Sequence, residues 1–167
     1  MKVKYYFVLM GILLSVLMTG CFSSKSATKE DKAAKEIALR KAIENRDFVI
    51  EVDRMLPANG RSRTLTSPYS LTIKNEEVKS HLPYFGRAYS VPYGGGDGLI
   101  FESTITDYKS SFDAKGNAVI EFKTKTSDDL LVFRVNIFPN GSTSIGVTSN
   151  NRQPISFQGT TSEKQVE

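Results

Sequence analysis

Residues 131–147 read LVFRVNIFPNGSTSIGV and carry the clearest strand pattern in the chain. Apolar side chains stand at every second position, as Leu131, Phe133, Val135 and Ile137. Arg134 and Asn136 fall between them, so one face of the strand is apolar and the other polar. Pro-Asn-Gly at 139–141 is a strong hairpin signal, and alternation resumes with Ile145 and Val147. This stretch therefore predicts two antiparallel strands joined by a tight turn.

The same alternation recurs on both sides of this hairpin. Its apolar positions include Phe48, Ile50 and Val52; Tyr69, Leu71 and Ile73; Val78; Leu99, Phe101 and Ile105; Ile120 and Phe122; Ile155 and Phe157. We count about eight short strands, most joined by loops of hairpin length. The predicted class is α+β, mainly β: a curved antiparallel sheet or partly open barrel with one N-terminal helix packed on it. A closed, lipocalin-like barrel is the alternative.

The helix is predicted from Lys29 to about Arg46, where strong helix formers of both charges predominate. A narrow stripe of small and apolar residues runs along it, formed by Ala34, Ile37, Ala38, Ala42 and Ile43. This spacing indicates a face that packs on the sheet, or alternatively one that binds a partner helix.

The N-terminus has the layout of a bacterial lipoprotein signal. Lys2 and Lys4 precede an apolar run from Tyr5 to Leu17, and small residues stand directly before Cys21, the only cysteine of the chain. We predict a lipoprotein signal peptide at 1–20, lipidation of Cys21, a flexible tether at 21–28, one globular domain at 29–160 and a disordered tail at 161–167. An ordinary signal peptide with an incidental cysteine is the alternative.

Charge and composition exclude several classes of function. Without Lys2 and Lys4 the formal net charge falls from +4 to +2, which gives no reason to expect nucleic-acid binding. One histidine and one cysteine cannot supply a zinc site, and no phosphate-binding or dinucleotide-binding motif is present. We therefore predict no metal, no cofactor and no nucleic-acid partner.

Residues 81–98 read HLPYFGRAYSVPYGGGDG and form the candidate binding loop. Its aromatic residues are Tyr84, Phe85, Tyr89 and Tyr93. They either fill the open end of the sheet as core or offer a platform to a glycan or peptide. Arg87 and Asp97 can supply the polar contacts of such a site. The glycines either form a turn or present an anion-binding nest, and Arg61 and Arg63 nearby either pair with an anion or are merely solvated.

His81, the only histidine, raises the alternative of a small hydrolase in which it acts with Asp97 or Glu102. The chain lacks a Gly-x-Ser-x-Gly nucleophile motif, so we interpret His81 as a residue at the end of a strand and predict no catalytic residues. Glu51 and Asp53 share a strand face and are interpreted as solvated.

Four segments together resemble the lipoproteins of Bacteroides-type bacteria grouped as domain of unknown function 4251. They are Pro57–Arg63, Leu82–Tyr89, the glycine run before Leu99 and Asn151–Gly159. The resemblance covers roughly 48–159 and implies a cell-envelope lipoprotein, but no particular activity. The lack of acidic residues in Phe22–Lys25 favours an outer-membrane anchor that faces the periplasm.

The resulting functional prediction is a membrane-anchored, non-enzymatic binding or assembly module. Its partners would be the membrane, through Cys21, and an envelope protein, glycan or peptide. A small periplasmic hydrolase and a purely structural envelope protein are the alternatives.

Overall fold

The computed structural model describes residues 29–89, 98–127 and 129–163. They form one helix and eight strands: α1 Lys29–Glu44, β1 Asp47–Pro57, β2 Arg63–Lys74, β3 Glu77–Leu82, β4 Leu99–Phe112, β5 Ala118–Lys125, β6 Leu130–Ile137, β7 Ser142–Ser149 and β8 Ile155–Glu163. The predicted mainly-β class, with about eight strands and one N-terminal helix, is confirmed. Within the described ranges, the helix is neither long nor apolar enough to cross a membrane.

The eight strands close into a barrel in which each pairs antiparallel with its neighbours in sequence. Pairing of β1 with β8, from Phe48 opposite Glu163 to Pro57 opposite Ile155, completes the ring. The barrel is thus closed, the arrangement given as the alternative to a partly open sheet. Closure buries the apolar face that the alternation creates, and it gives every strand a hydrogen-bonded neighbour on both sides.

The interior of the barrel is packed with side chains from alternate strand positions. Phe48, Phe122, Phe133 and Phe157 are fully buried. The rings of Phe122 and Phe133 stack with their centroids 4.9 Å apart and their planes within 2°. An eight-stranded barrel has little more room than its own side chains need, so this interior is a core.

The loops fall into two groups because consecutive strands run in opposite directions. The α1–β1, β2–β3, β4–β5 and β6–β7 connections lie at one end, which we call the helix end. The β1–β2, β3–β4, β5–β6 and β7–β8 connections lie at the other, which we call the loop end. The described parts of the predicted binding loop, 81–89 and 98, therefore belong to the loop end.

Helix α1 packs against the β4–β5 and β6–β7 hairpins at the helix end. Leu39, Ala42 and Ile43 are buried, and a cavity of about 30 Å³ separates this part of the helix from Phe112 and neighbouring residues.

The predicted apolar stripe of α1 was correct only in part. Ala34 is exposed, and Ile37 is 69% exposed. Leu39, which the stripe omitted, is buried instead because positions 39, 42 and 43 share one helical face. The helix therefore packs through a face rotated from the predicted one.

The domain extends beyond the predicted boundary at 160. Strand β8 continues to Glu163, so 161–163 belong to the strand and not to a disordered tail. Thr161 is buried, and its backbone N–H donates to the Gly141 carbonyl over 2.8 Å. Polar composition suggested a tail here, but pairing with β1 holds these residues in the barrel. The predicted signal peptide, Cys21, the tether and residues 164–167 lie outside the described residues.

Candidate functional site

The loop end gathers segments that are far apart in sequence. Residues 58–62, 83–89, 129 and 150–154 all belong to connections at this end of the barrel. Three of the four segments behind the family resemblance, around Pro57–Arg63, Leu82–Tyr89 and Asn151–Gly159, reach this end. The motifs that looked scattered in the sequence therefore converge on one surface, the candidate site.

The backbone of 87–89 is fixed to the β7–β8 connection like a short strand. Ala88 forms an antiparallel bridge with Arg152. The Tyr89 N–H donates to the carbonyl of Asn151 over 2.7 Å, and the Gln153 N–H donates to the carbonyl of Arg87 over 3.0 Å. These hydrogen bonds hold four loop residues in a defined, extended geometry, namely Arg87, Tyr89, Asn151 and Gln153.

Tyr84 closes the base of this arrangement. Its side chain is partly buried, and its hydroxyl lies 3.1 Å from the carbonyl oxygens of both Arg87 and Gln153. Because a phenol has one proton, the two carbonyls share a single donor. Burial raises the pKa of the Tyr84 hydroxyl above its usual value, despite the opposing hydrogen bond to Gln153. Tyr84 thus fits the core-packing interpretation of the loop aromatics.

Phe85 and Tyr89 behave in the opposite way. Phe85 is 50% exposed and Tyr89 is 66% exposed, although the backbone beside them is hydrogen-bonded. These two rings fit the platform interpretation. The structure therefore divides the aromatic set between both roles, while Tyr93 and Asp97 lie outside the described residues.

Three arginines belong to the same end of the barrel as the two exposed rings. The guanidinium of Arg63 lies over the ring of Phe85, with Cζ 5.2 Å from the centroid. Arg61 and Arg87 are exposed, and no ion pair to a described acid forms at any of these three arginines. Such an arrangement attracts an anionic group next to an aromatic surface.

Arg152 and Asp129 form a second, buried layer beneath this surface. The Arg152 side chain is 14% exposed and that of Asp129 only 2%, with Nε and Oδ2 separated by 3.8 Å. Arg152 also donates to the carbonyl of Gly98, and Ser149 donates to Asp129 Oδ2. The guanidinium of Arg152, which belongs to the β7–β8 connection, thereby contacts two further loops. Within the described chain, Asp129 Oδ1 lacks a hydrogen-bond partner.

Sequence analysis gave neither Asp129 nor Arg152 a role. An acid between two strand patterns is usually solvated, and Arg152 stood only within the resembling segment Asn151–Gly159. Nothing in their spacing along the chain indicates that they meet, because the contact depends on how the barrel closes. Only the fold identifies this pair.

His81 lies on the outer wall of the barrel, near the end of β3, as the sequence indicated. It is exposed, and its ring centroid lies 5.3 Å from that of Tyr69. Glu102, one of its proposed acid partners, pairs with Lys79 instead. Asp97, the other, lies outside the described residues.

Other candidate chemistry is equally dispersed. Glu51 and Asp53 are exposed on β1, as expected for solvated carboxylates. Among the residues with described positions, no cluster of three or more His, Cys, Asp or Glu side chains is arranged to hold a metal ion.

Comparison with known families assigns the chain. A family described as Domain of unknown function (DUF4251) matches residues 30–161. The chain belongs to the DUF4251 family. Membership of this family, as inferred from the four sequence segments, is thereby confirmed. No curated protein matches the chain.

A solved DUF4251 structure shares the fold. The crystal structure of a family protein from Bacteroides eggerthii DSM 20697 superposes with a TM-score of 0.61 at 18% sequence identity. The match covers 79% of this chain and 91% of that protein. At this identity the likeness extends to the fold alone, so the barrel is an architecture that both proteins share.

Proposed function

We propose that this DUF4251 protein is a membrane-anchored cell-envelope lipoprotein whose barrel is a non-enzymatic binding module. The loop end is its binding surface, with Phe85 and Tyr89 as the contact residues. Arg63 and Arg87 supply directed polar contacts beside them, and Tyr84 holds the loop in place.

The observation that carries this proposal is the exposure of two large rings on a backbone that is already ordered. Aromatic side chains dominate the energetics of many interfaces because they bury a large area with few rotatable bonds. A loop held by hydrogen bonds also loses less conformational entropy on binding than a free one. Tyr89 combines both properties through its own N–H bond to Asn151. Phe85 is exposed between Tyr84 and Arg87, both of which bond to Gln153.

The sequence supports the anchor. Cys21 directly follows a signal-like segment, and lipidation there would hold the protein on a membrane through its acyl chains. The chain then enters the barrel through α1 at the helix end, opposite the loop end. In our proposal the anchor lies in the outer membrane and the domain faces the periplasm.

Cross-linking in intact cells, followed by purification of the lipidated protein, tests the binding role. The wild type is compared with Phe85→Ala/Tyr89→Ala and with Phe138→Ala. Phe138 is a suitable control because it is also exposed, at 46%, but lies in the β6–β7 turn at the helix end. All variants are first shown to have the wild-type melting temperature.

We expect the wild type and Phe138→Ala to recover the same partner in constant proportion. The double variant Phe85→Ala/Tyr89→Ala should lose it. Equal recovery with all three proteins would reject the loop end as the binding surface. A separate Cys21→Ala variant tests the anchor, since metabolic labelling with a palmitate analogue should disappear with it. Labelling that persists in this variant would reject Cys21 as the lipidated residue.

A further inference from the structure

The backbone edge of Ala88, unpaired among the residues that the structure describes, and the charge of the loop end point to its ligand: we propose that it binds an acidic polypeptide segment in an extended conformation. This inference rests on the proposed binding function and names the class of partner. The peptide would lie along 87–89 as an added strand, with its carboxylates directed to Arg63 and Arg87.

The backbone of Ala88 supports an extended peptide as the ligand. In an antiparallel ladder, hydrogen bonds on one side of a strand are made by alternate residues. Arg87 and Tyr89 make those bonds to Gln153 and Asn151, so the N–H and C=O of Ala88 point the other way. No described residue bonds to either group. An extended peptide can pair with the N–H and C=O of Ala88, as in β-strand addition.

The side chains on either side of Ala88 indicate which residues such a peptide would carry. Arg87 and Tyr89 are both exposed, and Phe85 with its covering Arg63 lies two residues before Arg87. A strand added along 87–89 would meet the guanidinium of Arg87 and the ring of Tyr89, two positions apart on the same edge. Alternate side chains of the added strand give specificity, and here they are best matched by acidic and apolar residues.

The charges at the described part of the loop end favour an acidic ligand. Its acid, Asp129, is buried and paired with Arg152, so it does not neutralise the surface arginines. Asp97 and Asp128 lie outside the described residues. With Arg61, Arg63 and Arg87 unpaired among described groups, the surface favours an anionic partner over a basic one.

A polypeptide matches these features better than an acidic glycan. Both can offer carboxylates to arginine, and both can stack on aromatic rings. Only a polypeptide, however, repeats amide donors and carbonyl acceptors at the spacing that the Ala88 edge requires. The backbone edge therefore decides between the two.

The test measures fluorescence anisotropy with the full-length lipidated protein in detergent at about 50 mM salt, where charge contacts are weakly screened. The probe is a fluorescein-labelled seven-residue peptide of alternating threonine and glutamate. Comparison probes are the same peptide with lysine in place of glutamate, and the glutamate peptide methylated on every backbone nitrogen. An oligogalacturonate serves as the acidic glycan.

We expect the glutamate peptide to bind and the lysine and methylated peptides not to bind. Arg63→Gln/Arg87→Gln should weaken binding about tenfold or more, since each lost contact is charge-assisted. Lys41→Gln/Lys74→Gln removes the same charge from exposed positions elsewhere and should leave affinity within about twofold.

Three results would overturn the inference. They are equal binding of the lysine peptide, undiminished binding of the methylated peptide, and oligogalacturonate binding in the absence of peptide binding. If the glutamate peptide fails while a cellular partner still depends on Phe85 and Tyr89, only the peptide class is wrong. If that cellular partner is also missing, the proposed function itself fails.

Discussion

The guanidinium of Arg152 lies over the ring of Tyr84, with Cζ 5.5 Å from the ring centroid, while its Nε faces the buried carboxylate of Asp129. Through its donation to the Gly98 carbonyl, the same side chain reaches the start of β4. This residue therefore connects the β3–β4, β5–β6 and β7–β8 loops. The exposed rings of the proposed binding surface depend on a buried ion pair that lies beneath them.

Replacing Arg152 with Met should destabilise the protein by about 3 kcal/mol, because Asp129 would remain buried without its cation. Urea unfolding followed by circular dichroism measures this change in the free energy of unfolding. The double variant Arg152→Met/Asp129→Leu should be more stable than the single variant, since it also removes the stranded charge. A double variant whose loss equals the sum of the two single losses would show that the pair does not interact.

Tyr84→Phe removes the hydroxyl that lies between the Arg87 and Gln153 carbonyls. We expect a loss of about 1 kcal/mol in the free energy of unfolding, the usual net value of one hydrogen bond. Amide hydrogen exchange at Tyr89 and Gln153 should also become faster, because their loop is less firmly held. Unchanged exchange at both amides would contradict the role assigned to Tyr84.

The raised pKa of Tyr84 gives a dependence on alkaline pH. Because the folded state holds the phenolic proton more tightly than the unfolded chain, its contribution to stability is complete below about pH 10. That contribution is lost as pH rises through the folded-state pKa. Ultraviolet titration of tyrosinate should therefore show a component above the usual range that is missing in Tyr84→Phe. A wild-type titration that equals the variant's plus one ordinary tyrosine would contradict this expectation.

Gly159 should tolerate no side chain. A Cβ built there would lie 1.9 Å from the carbonyl oxygen of Glu51 on the adjacent strand β1. Gly159→Ala must displace one strand from the other, and we expect a loss of about 3 kcal/mol. Gly146→Ala is the matched control, since its Cβ would meet the nearest atom, the Arg134 carbonyl oxygen, at 3.8 Å. Thermal denaturation measures the stability of both variants. Similar melting temperatures for the two would show that β1 leaves room for a side chain at position 159.

Asp113 organises the β4–β5 turn. Its carboxylate accepts hydrogen bonds from the backbone N–H groups of Lys115 and Asn117 and from the Asn117 side chain, at 2.8, 2.9 and 2.7 Å. The bonds from Asn117 are the main reason that the pKa of Asp113 lies below its usual value. Its stabilising contribution is therefore present above about pH 4, and it is lost as pH falls through the lowered folded-state pKa.

The isosteric variant Asp113→Asn tests this dependence. It should melt at a lower temperature than the wild type at pH 7, and the difference should shrink steadily below about pH 4, as the wild-type carboxylate becomes protonated. A gap in melting temperature that stays constant down to pH 2 would show that the charge on Asp113 contributes nothing.

Much of the fold follows from local patterns that a sequence displays directly. The alternation at Leu131–Ile137 and the turn after Phe138 specify a hairpin without reference to anything distant. The closure of the barrel is not local in this sense. It depends on β1 meeting β8. The small size of Gly159 permits that contact, and the reason is visible only once Val52 is known to lie opposite, with the Glu51 carbonyl oxygen closest to the position that a Cβ on Gly159 would take.

The candidate site was also predictable only in its local features. The concentration of aromatic residues at 84–89 identified the loop, but identical chemistry at Tyr84 and Tyr89 concealed opposite roles. Burial against the β7–β8 connection decides between them, and that contact joins positions far apart in the chain. For the same reason, the sequence could not show that Arg152 supports the loop.

The order of the strands also has a consequence for how the chain folds. Seven of the eight pairings join neighbours in sequence, so they can form early with little loss of loop entropy. The seam between β1 and β8 instead joins the two ends of the domain, and we expect it to form last. Until then both outer strands present unpaired edges, which makes this interval the one in which nascent chains are most exposed to aggregation. The pairing shifts register between Val52 and Arg54 on that seam, close to the bare backbone of Gly159. We expect both features to affect the rate of the final step as well as its equilibrium.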